Sequence, residues 1–284
     1  MIIIIDNLNF GFHFETIESL IIKYDQILKI PKNDNYEVYL ENIKSNEYVK
    51  YINSKYPKIK INSHKKEYNY KIFSTFYPKF QNKFKNQLNN NKNFFISHDT
   101  NPILDKYKNI FYLTPLCNKK NYIYADVLPN IIKKNIDYPI YVIQGNFSDD
   151  RRNYKLLENI LKYSYPYEFK FKFLGKGQFP KIMEKYMSKI IVKNNLKFLQ
   201  YHQEFADCYC ILPLITKKSH PQYYKDKLTS TISYAKAYDL KCLIDEDLQN
   251  IYKLNNIEVF KDETDFKKAF NKTLNNFYQN KLKK

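Results

Sequence analysis

Short runs of β-branched and aromatic residues alternate with stretches of helical periodicity, and near the middle of the chain this alternation starts again. "MIIIID" reads as a buried strand, and "HFETIESLIIKYDQIL" carries apolar residues at helical spacing. "YEVYLENI", "NEYVKYINSKY" and "KIKIN" follow as strand, helix and short strand. Further strands are expected at "YKIFSTF", "NFFISHD", "IFYLTPL" and "YIYADVL", with "NKFKNQLNNNKN" between them as a polar, biased segment. After Pro129 a connector, "IIKKNIDYP", leads to a fresh strand, "IYVIQGNF". The second series runs "RRNYKLLENILKY" (helix), "FKFKFLGKG" (strand), "QFPKIMEKYMSKIIVK" (helix) and "LKFLQ" (strand). It continues with "QEFADC" (helix), "YCILPLI" (strand), "KLTSTISYAKAY" (helix), "LKCLID" (strand) and an amphipathic tail helix. Alternation of this kind predicts mostly parallel sheets with helices packed on them. The expected fold class is α/β, with two Rossmann-like domains facing a cleft: residues 1–132, and residues 133–284, whose closing helix can pack back on domain 1.

Composition limits the function classes. The 284 residues suffice for two cores, and a hydrophobic fraction of 44% with 17% aromatics excludes a disordered chain. No run of about 18 apolar residues is present, so no transmembrane span is expected; "MIIII" is too short for a signal peptide. The net charge of +18 invites a nucleic-acid reading. However, Lys, Asn, Ile and Tyr are all inflated while Gly, Arg and Trp are scarce, a bias that AT-rich coding produces without functional demand. A specific nucleic-acid partner is therefore not expected, and the charge supports weak peripheral association with an anionic membrane. Cys208 and Cys210 form a C-x-C pair with no second pair beside it, which reads as core thiols in a reducing cytoplasm.

The four glycines are placed unevenly. Gly145 ends the strand "IYVIQG", and Gly175 and Gly177 end "FKFLGKG". The only two arginines among 47 basic residues, Arg151 and Arg152, follow Gly145 where a helix is expected to open. In an open α/β sheet, ligands bind at the carboxyl ends of strands. Glycine admits close backbone approach, helix N-termini favour anions, and a guanidinium fork suits phosphate oxygens. Lys227, Thr229 and Ser230 offer a third element of the same kind at the start of a later helix. Gly145, Asn146, Arg151, Arg152, Gly175, Lys176, Gly177, Lys227, Thr229 and Ser230 thus form a candidate diphosphate cradle.

Over residues 138–250 these motifs resemble the donor-binding domain of GT-B glycosyltransferases, nearest the large retaining, nucleotide-sugar-dependent group (glycosyltransferase family 4-like). The strand-end glycine matches Gly145, the second basic position matches Arg152, and "LGKG" matches the next strand end. "LKFLQYHQEFADCYCILPL" echoes the following strand and acidic-to-proline stretch. Asn146 stands where that group usually has arginine, and its paired glutamates on the next helix are replaced by Lys227, Thr229 and Ser230. The resemblance implies a compact GT-B enzyme that moves a sugar from a nucleotide-diphosphate donor to a glycan, lipid-linked or protein acceptor. It implies no cofactor beyond the donor and no metal. His98, after "FFIS", and His13, in the first strand-to-helix loop beside Gly11, are the candidate catalytic residues. A nucleotide-sugar epimerase of the same fold and a polyanion-binding protein are the alternatives. Asp245 and Asp247 form a D-x-D pair of the metal-binding type, but late in the chain.

Overall fold

Four consecutive isoleucines open the chain because they form a central parallel strand, buried on both faces. In the computed structural model, which describes residues 1–8, 14–30, 36–65, 67–116 and 121–283, Ile3, Ile4 and Ile5 are fully buried. The chain divides into two units: Met1–Leu128 with Asp226–Leu228, and Pro129–Lys225 with Thr229–Lys284.

Unit 1 is built from β1 (Ile2–Asp6), α1 (Phe14–Leu28), β2 (Glu37–Glu41), α2 (Asn46–Lys55), β3 (Lys60–Ile61), β4 (Tyr70–Phe76), α3 (Lys85–Leu88), β5 (Asn93–Ser97) and β6 (Ile110–Tyr112). Its sheet has the order β3-β2-β1-β4-β5-β6 and every pairing is parallel. α1 buries Ile17, Leu20, Ile21, Tyr24, Ile27 and Leu28, the apolar stripe of its 3.6-residue period. α2 starts at Ser45, whose side chain accepts a hydrogen bond from the Tyr48 amide at 3.3 Å.

Unit 2 repeats the plan with β7 (Ile140–Asn146), α4 (Lys155–Leu161), β8 (Lys170–Lys176), β9 (Ile190–Asn194), α5 (Phe198–Gln203), β10 (Cys210–Ile211), α6 (Ser230–Ala237), β11 (Lys241–Asp245), α7 (Glu246–Tyr252), β12 (Ile257–Phe260) and α8 (Glu263–Leu282). Its order, β12-β11-β10-β7-β8-β9, is the same topology read from the other edge, again parallel throughout. Strand order reverses between β7 and β10, which makes the carboxyl end of β7 the topological switch point. One face of this sheet packs Tyr141, Phe171 and Phe173 against α4 and α8. The Phe270 ring of α8 lies tilted against that of Tyr141, 4.7 Å between centroids, and the Tyr141 hydroxyl is 2.9 Å from Thr273 Oγ1. The closing helix, expected as one able to return to the first domain, thus packs on the sheet of its own unit.

Several local expectations are corrected. "YIYADVL" forms no strand: it makes a single bridge, Tyr112 with Tyr122, because α1 takes its polar groups instead. Lys23 pairs with Asp126, and the Ser19 hydroxyl accepts from the Val127 amide at 3.1 Å. The ladder position assigned to "LKFLQ" belongs to Ile190–Asn194, whose β-branched residues pair with β8. Phe198 instead opens α5, where the Gln200 side chain turns back to accept from the Lys197 amide at 3.3 Å. α7 and β12 went unrecognised, because "IEVF" is short and preceded by a polar stretch.

Gly145 and Gly175 lie opposite each other in the β7–β8 ladder. A Cβ on Gly175 would fall 1.8 Å from the Gly145 carbonyl oxygen, so only glycine permits this strand spacing. Gly175→Ala is expected to destabilise the protein by about 1–3 kcal/mol, the range of an overpacked core. An unchanged urea midpoint would show that the strand ends part freely.

Candidate anion site at the end of β7

The candidate site grows from β7. Its residues Tyr141, Val142 and Ile143 are apolar and buried, yet the strand continues with Gln144, a polar residue only 2% exposed. Gln144 Nε2 donates to Ser230 Oγ at 2.8 Å, and its Oε1 accepts from the Tyr201 hydroxyl at 3.1 Å. This amide ties the end of β7 to α5 and to the first residue of α6. Gly145 follows at φ +107°, a conformation that side chains rarely adopt.

That backbone leaves room for Arg152. The expected helix opens only at Lys155, so both arginines sit in the turn before it, and they part company there. Arg151 is exposed and donates to the Tyr223 hydroxyl at 3.3 Å. Arg152 is 5% exposed. Its Nη2 donates to the Gln144 carbonyl oxygen at 2.7 Å and lies 3.5 Å from Thr231 Oγ1 of α6; its Nη1 donates to the Arg151 carbonyl at 2.7 Å. Nε has no hydrogen-bond partner, and no carboxylate pairs with this guanidinium among the described residues. Burial lowers its pKa from the usual arginine value, although arginine stays charged. A buried cation without a counter-ion is costly and is unusual without a role.

The other expected cradle residues gather around it. Asn146 is paired with Lys176 in the ladder, and a Cβ on Gly177 would meet Asn146 Oδ1 at 2.9 Å. Thr229 is the cap residue of α6 and 2% exposed; its Oγ1 is buried with no partner among the described residues. Lys227 departs from the group. It belongs to unit 1, where it forms an antiparallel bridge with Asp99, and the Thr100 amide donates to the Asp226 carbonyl at 2.9 Å. His98 is also in unit 1, half-buried just after β5, with its ring 5.6 Å from that of Tyr77 in a stacked arrangement. The Ser97 hydroxyl donates to the Asp99 carbonyl at 2.7 Å and shapes this turn. His13 and Gly11 lie outside the described residues.

Residues not singled out in the sequence hold the loop after β7. The Asn153 amide donates to the carbonyl of Leu214, itself at φ +52°, at 2.8 Å. His220, for which no strand-end role was expected, is 3% exposed. Its Nε2 faces the Asp149 carbonyl at 3.2 Å and its Nδ1 faces Ser219 Oγ at 2.7 Å. The ring therefore carries its proton on Nε2 and fastens the loop after β10 to the loop after β7. A groove of about 1080 Å³ runs along this loop, lined by Arg152, Phe147, Tyr154, Phe179 and His220.

Asp245 and Asp247 are engaged separately. Asp245 caps α7 by accepting from the Leu248 amide at 3.2 Å, and Asp247 pairs with Lys217 at 3.2 Å. Burial pushes the Cys210 thiol up to about 12 and raises that of Cys208, which makes both poor nucleophiles at neutral pH.

Burial, aided by the nearby arginine charges, lowers the pKa of His220 from its usual 6.5. The unfolded chain then binds the proton more readily, so stability is present above pH about 6.5 and is lost as pH falls toward the folded value. Urea midpoints at pH 7.5 and 5.5 should separate more for the wild type than for His220→Gln. Equal separation would remove the latch from this account.

No protein-family model matches the chain, and no curated protein matches it. Solved structures do. A glycosyltransferase from Rickettsia africae aligns at 12% identity with a TM-score of 0.54, over 96% of this chain and 87% of that one. The apo form of WaaB, a lipopolysaccharide outer core galactosyltransferase, aligns at 14% identity and a TM-score of 0.48, over 97% and 90%. A mutant O-GlcNAc transferase of Thermobaculum terrenum aligns at 9% identity and a TM-score of 0.45, over 96% and 60%. With two all-parallel six-stranded sheets of identical strand order, the likeness to the first of these identifies the fold as that of the GT-B glycosyltransferases.

Proposed function

We propose that unit 2 binds a nucleoside-diphosphate sugar and that the protein transfers its glycosyl group to an acceptor hydroxyl. The observation that carries this reading is Arg152: a buried guanidinium with no carboxylate partner among the described residues, next to a strand-end glycine pair and the start of α6. A diphosphate supplies the missing negative charge. In the transfer, the bond from the anomeric carbon to the β-phosphate oxygen breaks and its electron pair stays on the diphosphate. Arg152, Lys176, the hydroxyls of Thr229 and Ser230 and the N-terminal end of α6 stabilise the charge that develops. The acceptor oxygen bonds to the anomeric carbon and gives up its proton to a base.

His98 is proposed for the acceptor side. An imidazole with a reference pKa near 6.5 suits proton transfer or a hydrogen bond to the sugar. Lys227, bridged to Asp99 in the next turn, adds a positive charge beside it. In this reading cationic side chains and helix amides do the work that a divalent metal does elsewhere.

A thermal-shift panel of UDP-, GDP-, TDP- and CMP-sugars in EDTA tests the reading. The matching donor at 100 times its dissociation constant should add about 2.7 kcal/mol of stability. Turnover with that donor should survive chelation. His98→Ala should lower turnover about 10²-fold with nucleotide affinity retained. A flat panel, or activity that EDTA abolishes and Mn²⁺ restores, would contradict it.

A further inference from the structure

The groove beside Arg152 has more room than a diphosphate needs. Its volume of about 1080 Å³ lies above the roughly 300–1,000 Å³ of ordinary small-molecule sites. It is built wholly within unit 2, from the loops after β7, β8 and β10 and the first residue of α8. Hydrogen bonds fix these loops. The Ser148 amide donates to Asn146 Oδ1 at 3.0 Å, and the Phe147 amide donates to the Lys176 carbonyl at 2.9 Å. Asn153 Nδ2 donates to Glu263 Oε1 at 3.2 Å, which ties the loop after β7 to α8. Phe147 and Tyr154 are buried in the lining, whereas Phe179 is only half-buried: its ring rests edge-on against Phe173 at 5.0 Å and part of it stays open to the groove. The same lining carries the Asp149 and Asp150 carboxylates and the Gln178 amide. All three are exposed, and none makes a hydrogen bond or ion pair through its side chain among the described residues.

We infer that this groove is a subsite for an uncharged oligosaccharide, the acceptor of the transfer. The inference rests on the reading of unit 2 as the donor site: Arg152, held there against the departing diphosphate, also lines the groove, so a sugar lying in it ends beside the reacting bond. Three features favour a glycan. Carboxylates and amides each present two polar atoms in one plane and so can bridge neighbouring hydroxyls, while an open aromatic ring takes the apolar C–H face of a pyranose. Charge on the rim is balanced, with Asp149, Asp150 and Glu263 against Lys155, Lys181 and Lys218, although the chain as a whole carries +18. Beyond Arg152 a polyanion therefore finds no excess of positive charge there. An extended peptide finds no free strand edge either, because β7 and β8 are each paired on both sides.

The test is titration of the full chain with maltotetraose, cellotetraose, mannotetraose and chitotetraose, followed by saturation-transfer NMR, with a heparin tetrasaccharide as the anionic comparison. At least one neutral tetrasaccharide should bind. Asp150→Ala, at an exposed position, should weaken it about tenfold, the loss of one hydrogen bond to a charged group. Phe179→Leu keeps an apolar side chain against Phe173 but removes the flat ring, and should weaken it as much. Both variants should still be stabilised by nucleoside diphosphate in a thermal shift, which shows that they fold and that the donor site is intact. Binding that neither substitution weakens, or groove-dependent binding of the heparin fragment alone, would overturn the inference. Absence of any tetrasaccharide binding beside a normal diphosphate shift would overturn it and leave the donor reading standing; absence of both would overturn the two together.

Discussion

A guanidinium held by two backbone carbonyls, with no acid among the described residues to neutralise it, sets the terms for the second half of this protein. Arg152 reaches the Gln144 carbonyl beside Gly145, which holds φ +107°, a backbone conformation that side chains rarely adopt. Gly145 in turn sits opposite Gly175, where the strands approach too closely for any other residue. The Asn153 amide on the Leu214 carbonyl and His220 against Asp149 then hold the loop that carries the arginine. Each contact is ordinary alone. Together they keep a positive charge out of water at the one place in the sheet where strand order reverses.

Such an arrangement conflicts with stability taken alone. Desolvating a charge costs several kcal/mol, and carbonyl dipoles offset only part of that. Compare Lys172, 1% exposed on the same sheet, which is matched by Asp207 at 2.5 Å and Glu204 at 3.0 Å. The chain therefore has the means to neutralise a buried cation in unit 2, and does so one strand away. At Arg152 no carboxylate among the described residues meets the charge, and the Thr229 hydroxyl at the start of α6 likewise has no partner among them. In the proposed function, the donor diphosphate is what completes both.

Much of this was legible in the sequence. Long apolar runs such as "IIIID" and "IYVIQG" announced parallel strands because burial on both faces erases alternation. The glycines at 145 and 175 marked the strand ends, since only close approach or unusual backbone requires them in a chain so poor in glycine. The errors have physical causes too. "LKFLQ" has strand-like residues, but the preceding "IIV" took the ladder and left it free to cap a helix. "YIYADVL" alternates correctly yet spends its polar groups on α1. Helix periodicity suggested that Arg151 and Arg152 lie within α4, and only the turn before Lys155 separates one into the interior and the other to the surface. His220 and Leu214 were invisible because their work depends on loops far apart in sequence. Gln144 left a signal, a lone amide in an apolar strand.

The central claim, that Arg152 is a charge kept open for a diphosphate, is tested most directly by urea unfolding of the wild type and Arg152→Met, each with and without saturating nucleoside diphosphate. The account predicts that Arg152→Met without ligand stays within about 2 kcal/mol of the wild type, less than the 3–5 kcal/mol lost when a true buried ion pair is broken. It also predicts that the ligand stabilises only the wild type. A variant that collapses without ligand, beside a wild type indifferent to diphosphate, would show that Arg152 is a structural brace and contradict the account.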